Sequence, residues 1–517
     1  MNKRIIISGV VGALSAMPAT AEIWMTDTQE EWNDTVTKKD GLEISEGMVS
    51  STEKSVVISS SLKRFDKKRS AKSIQIDQSP VWHNWTATKN IGPSNLGDAP
   101  VMLSLGKENY WMFGRLRGGG NKDFKPERAK LAGFNTRLLT TPYKNQYTAP
   151  GGLKKNQKGY HAWQSKDMIN WVHHGSVTDA KGRWMTTAEY VDGKAYFYYD
   201  FPNDQDPHLI IDDNLTDGKL GKDMGITFKD PSDGSDCTFI RDLDGKFHVI
   251  AEDWGPIDAS AHAWDSPLAT HAVSSDGIRN FKILSPAVDE RTKPTGKFAE
   301  FIHPHWHKED PDNYPAKVYN GKRTYHGIKP GGKAAFSKYE IHEPSQNAFG
   351  DWASISIGGQ YYLFGDFEPA HSGKKKQKMS VAWFTSSSID KKFSFCGNIG
   401  SGHPDPDIMF AEGKFYLATQ QKEDYVSPGP WVDGVEVRVG VDTDNDGGVD
   451  QWSDWQEVKE VYDYVPGFAK QVAKTPAKMD LSKLPKGYGF QYEVKVVSSP
   501  KNASQAIIDK VAVSFGK

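Results

Sequence analysis

An aspartate followed eight or nine residues later by a turn glycine and an aromatic-rich apolar run recurs along the chain. The copies run Asp98 to Gly106 (DAPVMLSLGKENYWMF), Asp236 to Gly245 (DCTFIRDLDGKFHVI), Asp351 to Gly359 (DWASISIGGQYYLF) and Asp405 to Gly413 (DPDIMFAEGKFYLA). A fifth stretch, TTAEYVDGKAYFYY, keeps the Gly193-Lys194 turn, with Glu189 as its acid. One aspartate at a strand start usually caps a turn. Four in register imply a shared site, because carboxylates gathered at one point repel and their pKa values separate into a proton donor and an ionised partner. That pair is what acid/base cleavage of a glycosidic bond requires.

Each phrase reads as strand, tight turn and strand, since glycine accepts the positive φ of two-residue hairpin turns. Hairpin units repeated over most of a chain indicate a propeller or a solenoid. In a propeller the innermost strand of each blade lines the axis, so an acid at a fixed place on it converges with its counterparts. Outer strands follow the same grammar: GYHAWQSKDMINWVHHG places Ser165 before a Lys-Asp turn, and AHAWDSPLATHAVSSDGIRNF places Ser274 before Asp-Gly. The expected fold is all-β: a β-propeller of five blades, with six or seven left open, and a small β-sandwich-like appendage.

The 517 residues divide, on this reading, into a signal peptide (1–21), an N-terminal β segment (22–80), the propeller (81–425) and a C-terminal β region (426–517). The last either joins the N-terminal segment or closes the propeller. Lys3 and Arg4, an apolar run from Ile5 and Ala19-Thr20-Ala21 before Glu22 have the layout of a cleavable secretory signal, so a secreted or periplasmic product is expected. With 64 basic and 66 acidic residues the net charge is −2, which gives no global field toward nucleic acid or membrane. The expected partner is a carbohydrate, with the protein a monomer or small homo-oligomer. Two cysteines, Cys237 and Cys396, exclude a disulfide-built scaffold and leave one bridge open.

Other chemistry-bearing residues lie between and beyond the phrases. From Val288 to Gln346 the rhythm is broken by FAEFIHPHWHKEDPDNYP and KYEIHEPSQ, which hold His303, His305, His342 and Glu343. DTDNDGGVD sets Asp442, Asp444, Asp446 and Asp450 at alternating places around Gly447, a pattern suited to structural Ca²⁺, although no bidentate glutamate follows at the twelfth position. No organic cofactor is indicated. Trp82, Trp85, Trp111, Trp163, Trp254, Trp306 and Trp352 are divided between blade packing and sugar stacking, with packing favoured for most.

On these phrases, from about Asp98 to Gln420, the chain resembles the five-bladed propeller glycosidases of glycoside hydrolase families 43, 32 and 117. The family 43 resemblance implies Asp98 as base, Asp236 as the acid that tunes and orients, and Asp351 as general acid, although Asp351 stands where that family has a glutamate. It also implies that Glu189 lines the site. Family 117 uses a histidine acid, which keeps His303, His305 and His342 in play. His161, Arg241, His305, His342 and Asp405 complete the expected substrate-binding set. The substrate expected is an anionic, algal-type glycan. A second resemblance, to propeller-type ulvan lyases, covers fold class and size alone; β-elimination would draw its base and carboxylate partner from His161, Arg241, His305, Tyr325 and His326, although that family's Tyr/His/Arg spacing does not lay onto this chain.

Overall fold

Alternating apolar positions and turn glycines resolve, in a computed structural model, into strands almost throughout. The described residues are 22–45, 47–53, 55–79, 82, 93, 96–116, 146–147, 159–179, 184–200, 207–228, 236–252, 266–299, 318–319, 322–323, 339–342, 347–369, 380–399, 405–419, 426–428, 434–497 and 506–516. The chain divides into two units.

One unit takes residues 87–429 together with Tyr464–Val472. It holds a succession of mainly antiparallel sheets whose strands mostly follow chain order; Gln146–Tyr147 and Gln471–Thr475 add parallel neighbours to Trp171–Ser176 and Ala348–Ile357. Their innermost strands are Leu96–Ser104, Trp184–Val191, Thr238–Arg241, Ala348–Ile357 and Asp407–Ala411. Each packs against the next, and the fifth returns to the first, so among the described residues five inner strands close the ring. Radial closure leaves the inner strands as short edges sheltered at the axis. The first four sheets have at least four strands, and the fifth has three described ones. The space between sheets is filled by side chains such as Trp163, Trp171, Phe197, Phe239, Phe349 and Phe384, all fully buried.

The other unit takes residues 1–86, 430–463 and 473–517. Here the N- and C-terminal segments pair with each other. The 17-residue strand Lys63–Ser79 carries Ile507–Gly516 along most of its length, and Ser55–Ser59 pairs with Gly487–Val497. Alternate residues Val435, Val437, Val439 and Val441 join Ile74, Ile76, Tyr492, Val494, Val511 and Val513 in one apolar core. The one helix among the described residues, Gln29–Thr35, is started by a capping box between Thr28 and Glu31 and buries Trp32, whose indole N–H reaches Gly47 O at 2.8 Å. The all-β propeller with an appendage of terminal strands is therefore the observed architecture. The choice left open for the C-terminal region is resolved both ways: most of it joins the N-terminal strands, and Tyr464–Val472 joins the propeller unit. Cys237 and Cys396 are free thiols. Residues 1–21 lie outside the described set.

Candidate active site

The recurring aspartates owe their position to local backbone irregularity. Asp236, Asp351 and Asp405 all have left-handed φ, at 43°, 48° and 34°. Aspartate tolerates this region better than most residues, but the conformation still costs energy and persists where the surroundings enforce it. The pairing register slips between Gly350 and Ala353, around Asp351, and between Gly97 and Val101, around Asp98. A bulge of this kind re-aims a side chain out of the alternating pattern. At the first slip the backbones press together: a Cβ on Gly365 would lie 2.7 Å from Gly350 O, so only glycine fits there.

A second tier of acids supports the first. Asp200 and Glu252 end the second strands of the second and third sheets, Asp366 stands two residues before the end of the fourth sheet's second strand, Gln360–Glu368, and all three are buried. Asp200 Oδ2 accepts the N–H of Asp236 at 3.1 Å, and Asp366 Oδ1 accepts the N–H of Asp405 at 2.8 Å. The acid of one sheet thus fixes the backbone of the axial aspartate of the next. Trp352 N–H donates to Asp236 O at 3.1 Å, tying the third inner strand to the fourth.

Carboxylate oxygens of Asp351, Asp366 and Asp405 lie within 4.8 Å of one another, with Asp366 buried and the other two half-buried. Burial first, then the charges of Asp236, Asp405, Asp366 and Glu252, push the Asp351 carboxyl well above the ordinary carboxylate range. A carboxyl held protonated in this way can donate a proton to a departing oxygen.

The opposite end of the axis is built differently. Asp236 and Arg241 bracket the third inner strand, and at roughly 3.3 Å per residue they stand about 16 Å apart along it. Glu189 accepts the Arg241 N–H at 3.2 Å, so Glu189 and Arg241 belong to the end away from the aspartates. There Tyr464–Val472 crosses the ring. Lys470 Nζ, 3 % exposed, donates to Thr187 Oγ1 at 2.5 Å and Phe239 O at 2.6 Å. Gln471 reaches Arg241 O, the Arg241 guanidinium donates to Gly467 O, and Ser356 and Gly358 donate N–H groups to Lys470 O and Val472 O. Tyr464 OH meets Tyr110 OH at 2.8 Å, and Tyr110 OH donates to Glu412 at 2.6 Å. Burial raises the Glu189 pKa and lowers that of Lys470, while each charge opposes the shift of the other. Burial also pushes Asp407 up to about 6, against the pull of Lys470 and the Met102 N–H it accepts at 2.6 Å.

Of the residues singled out from the sequence, Asp236, Asp351 and Asp405 come together. Asp98 lies in the first inner strand at its bulge, with its side chain outside the described set. Glu189 and Arg241 do not join them; they are held at the crossing segment because they sit late in their strands. His161 does not join them either. It is fully buried in the third strand of the first sheet, 3.0 Å from His173 Nε2, and desolvation lowers its pKa to about 4. His342 is placed in Tyr339–His342 without a described side chain, and His303, His305, Tyr325, His326 and Glu343 fall outside the described residues. Trp82, Trp111, Trp163 and Trp352 are buried packing residues; Trp85, Trp254 and Trp306 are outside the described set. The sequence reading passed over Asp200, Glu252 and Asp366, though each stands seven residues after its turn glycine, Gly193, Gly245 or Gly359.

In the second unit, oxygens of Asp442, Asp444 and Asp450 also lie within 4.8 Å of one another. Asp446 is not in that group and instead accepts the Gly448 N–H at 2.7 Å. Asp442 accepts the N–H groups of Asn445 and Gly447, and Asp450 the Thr443 N–H and hydroxyl, so the turn is already ordered by its own donors.

No family model and no curated protein matches the chain. Among solved structures, an endo-arabinase from Bacteroides thetaiotaomicron matches with 10 % identity over 67 % of this chain and 99 % of its own, at a TM-score of 0.37. An exo-β-1,3-galactanase from Phanerochaete chrysosporium matches with 9 % identity over 86 % of this chain and 100 % of its own, at 0.35. An α-L-arabinofuranosidase from Clostridium thermocellum matches with 13 % identity over 74 % of this chain and 95 % of its own, at 0.33.

Proposed function

We propose that the protein is a glycoside hydrolase whose site is the aspartate end of the propeller axis. The single observation behind this reading is Asp351, a half-buried carboxyl whose pKa is driven up by burial and by four neighbouring acids. Asp351 acts as general acid, giving its proton to the glycosidic oxygen as the C–O bond breaks. An ionised neighbour, Asp236 or Asp98, serves water or the sugar carbon as base or nucleophile. Asp200 and Asp366 hold the backbone of Asp236 and Asp405 rather than touch substrate. The cluster's own negative charge opposes a uronate or sulfate at the reacting sugar, so any anionic groups of the glycan sit on units away from the cleaved bond.

The test is a product assay on a panel of plant and algal polysaccharides. A hydrolase releases reducing ends with no new ultraviolet absorbance. Unsaturated products would transfer the chemistry to β-elimination, for which His161 and Arg241 are poorly placed. No turnover on any glycan would remove the enzymatic reading. We also propose export through residues 1–21, checked by a mature N-terminus at Glu22. Asp442, Asp444 and Asp450 form an oxygen-only donor set that fits a hard divalent cation such as Ca²⁺, with a structural role.

A further inference from the structure

The strand Val435–Asp442 sends its odd residues into the core and its even residues, Glu436, Arg438, Gly440 and Asp442, to the other face. On that face Arg438 is flanked by two half-buried indoles, with its guanidinium carbon 4.3 Å from the Trp452 ring centre and 4.6 Å from that of Trp455. Trp452 lies over Gly440, where an added Cβ would stand 3.0 Å from the ring. The guanidinium is also fixed from the neighbouring strand, donating through Nε to Glu493 at 2.6 Å. Beside it Lys495 pairs with Glu436 at 2.5 Å.

We infer that this face is a carbohydrate-docking platform that binds a neutral polysaccharide chain through Trp452 and Trp455. Two indoles locked by a guanidinium make a rigid, partly open aromatic surface, which loses little conformational freedom when a ligand stacks on it. The charges of the face are paired within it, and the adjoining turn carries Asp444, Asp446 and Asp450 exposed, with Asp454 exposed between the two tryptophans. That surrounding excludes nucleic acid and other polyanions and leaves a polyhydroxylated ligand, with apolar sugar faces against the rings and hydroxyls at the polar edges. The choice of ligand rests on the hydrolase reading. Its benefit is local concentration, because a second binding module on the same chain raises effective affinity for a polymer without a new catalytic contact.

The test is affinity electrophoresis of the full chain in native gels cast with laminarin, xylan or arabinan, with alginate as the anionic comparison. The unchanged protein is expected to be retarded by at least one neutral glycan and not by alginate. Trp452→Ala/Trp455→Ala should bind at least about tenfold more weakly, as loss of an aromatic hot spot does, with kcat/KM on a small aryl glycoside within about twofold. Trp455→Tyr, between two strands rather than within one, should give an intermediate loss and serves if the double variant fails to fold. Equal retardation of Trp455→Tyr, the double variant and the unchanged protein would make the indoles a structural clip and overturn the inference, as would absence of retardation in every neutral gel. Retardation without turnover would sink the hydrolase reading and leave the platform standing; turnover without retardation would do the reverse.

Discussion

At the scale of residues, the site is a set of like charges made to differ. Burial and four neighbouring acids raise the Asp351 pKa above its unfolded value, so Asp351 favours folding while protonated, and that contribution is lost as pH rises through its folded pKa. Two outcomes follow. Asp351→Asn should be more heat-stable than the unchanged protein at pH 8 and gain least near pH 4, read by thermal melts at both values. Asp236→Asn removes one of the charges holding that proton, so the alkaline limb of its residual kcat/KM profile should move to lower pH; an unmoved limb would take Asp236 out of the cluster's electrostatics. The axial aspartates were legible because a carboxylate at fixed spacing from a turn glycine is a sequence pattern. Asp200, Glu252 and Asp366 obey a second such spacing, whereas the burial that sets each pKa depends on neighbours hundreds of residues away.

Among the elements, the segment Tyr464–Val472 had no signal in the sequence. It lies outside the repeat, and nothing in its composition shows that Lys470 enters the ring. Its ammonium answers Glu189 and Asp407, so Lys470→Met leaves buried carboxylates uncompensated and should cost about 3–5 kcal/mol. Adding Glu189→Gln should restore part of that loss, and strictly additive costs in urea unfolding would show that the two residues are not coupled. Glu189 and Arg241, which looked like site residues, are not with the aspartates because each stands late in its inner strand, Trp184–Val191 or Thr238–Arg241. For the Asp442–Asp450 turn, Ca²⁺ against chelator should raise the melting temperature, and Asp450→Asn should shrink the rise. An identical melting curve with and without Ca²⁺ would leave the turn held by its amide donors alone.

For the molecule as a whole, hairpin grammar made the propeller and its terminal-strand appendage readable, because turn chemistry and alternation are local. Ring closure at five and the split of the C-terminal region between two units depend on long-range pairing, such as that of Ile507–Gly516 with Lys63–Ser79, which no local pattern encodes. The shared start of the inner strands is what brings the scattered Asp236, Asp351 and Asp405 together, and the central claim is that Asp351 supplies its proton. The most direct measurement compares Asp351→Asn with the unchanged protein on the natural glycan and on an aryl glycoside whose leaving group departs without protonation. Loss of a general acid typically costs roughly two to four decades. The account predicts such a loss on the glycan, recovery of most of the bond-cleaving rate on the aryl substrate, and disappearance of the alkaline limb of the pH profile. Full activity of Asp351→Asn on the natural glycan, with that limb retained, would contradict it.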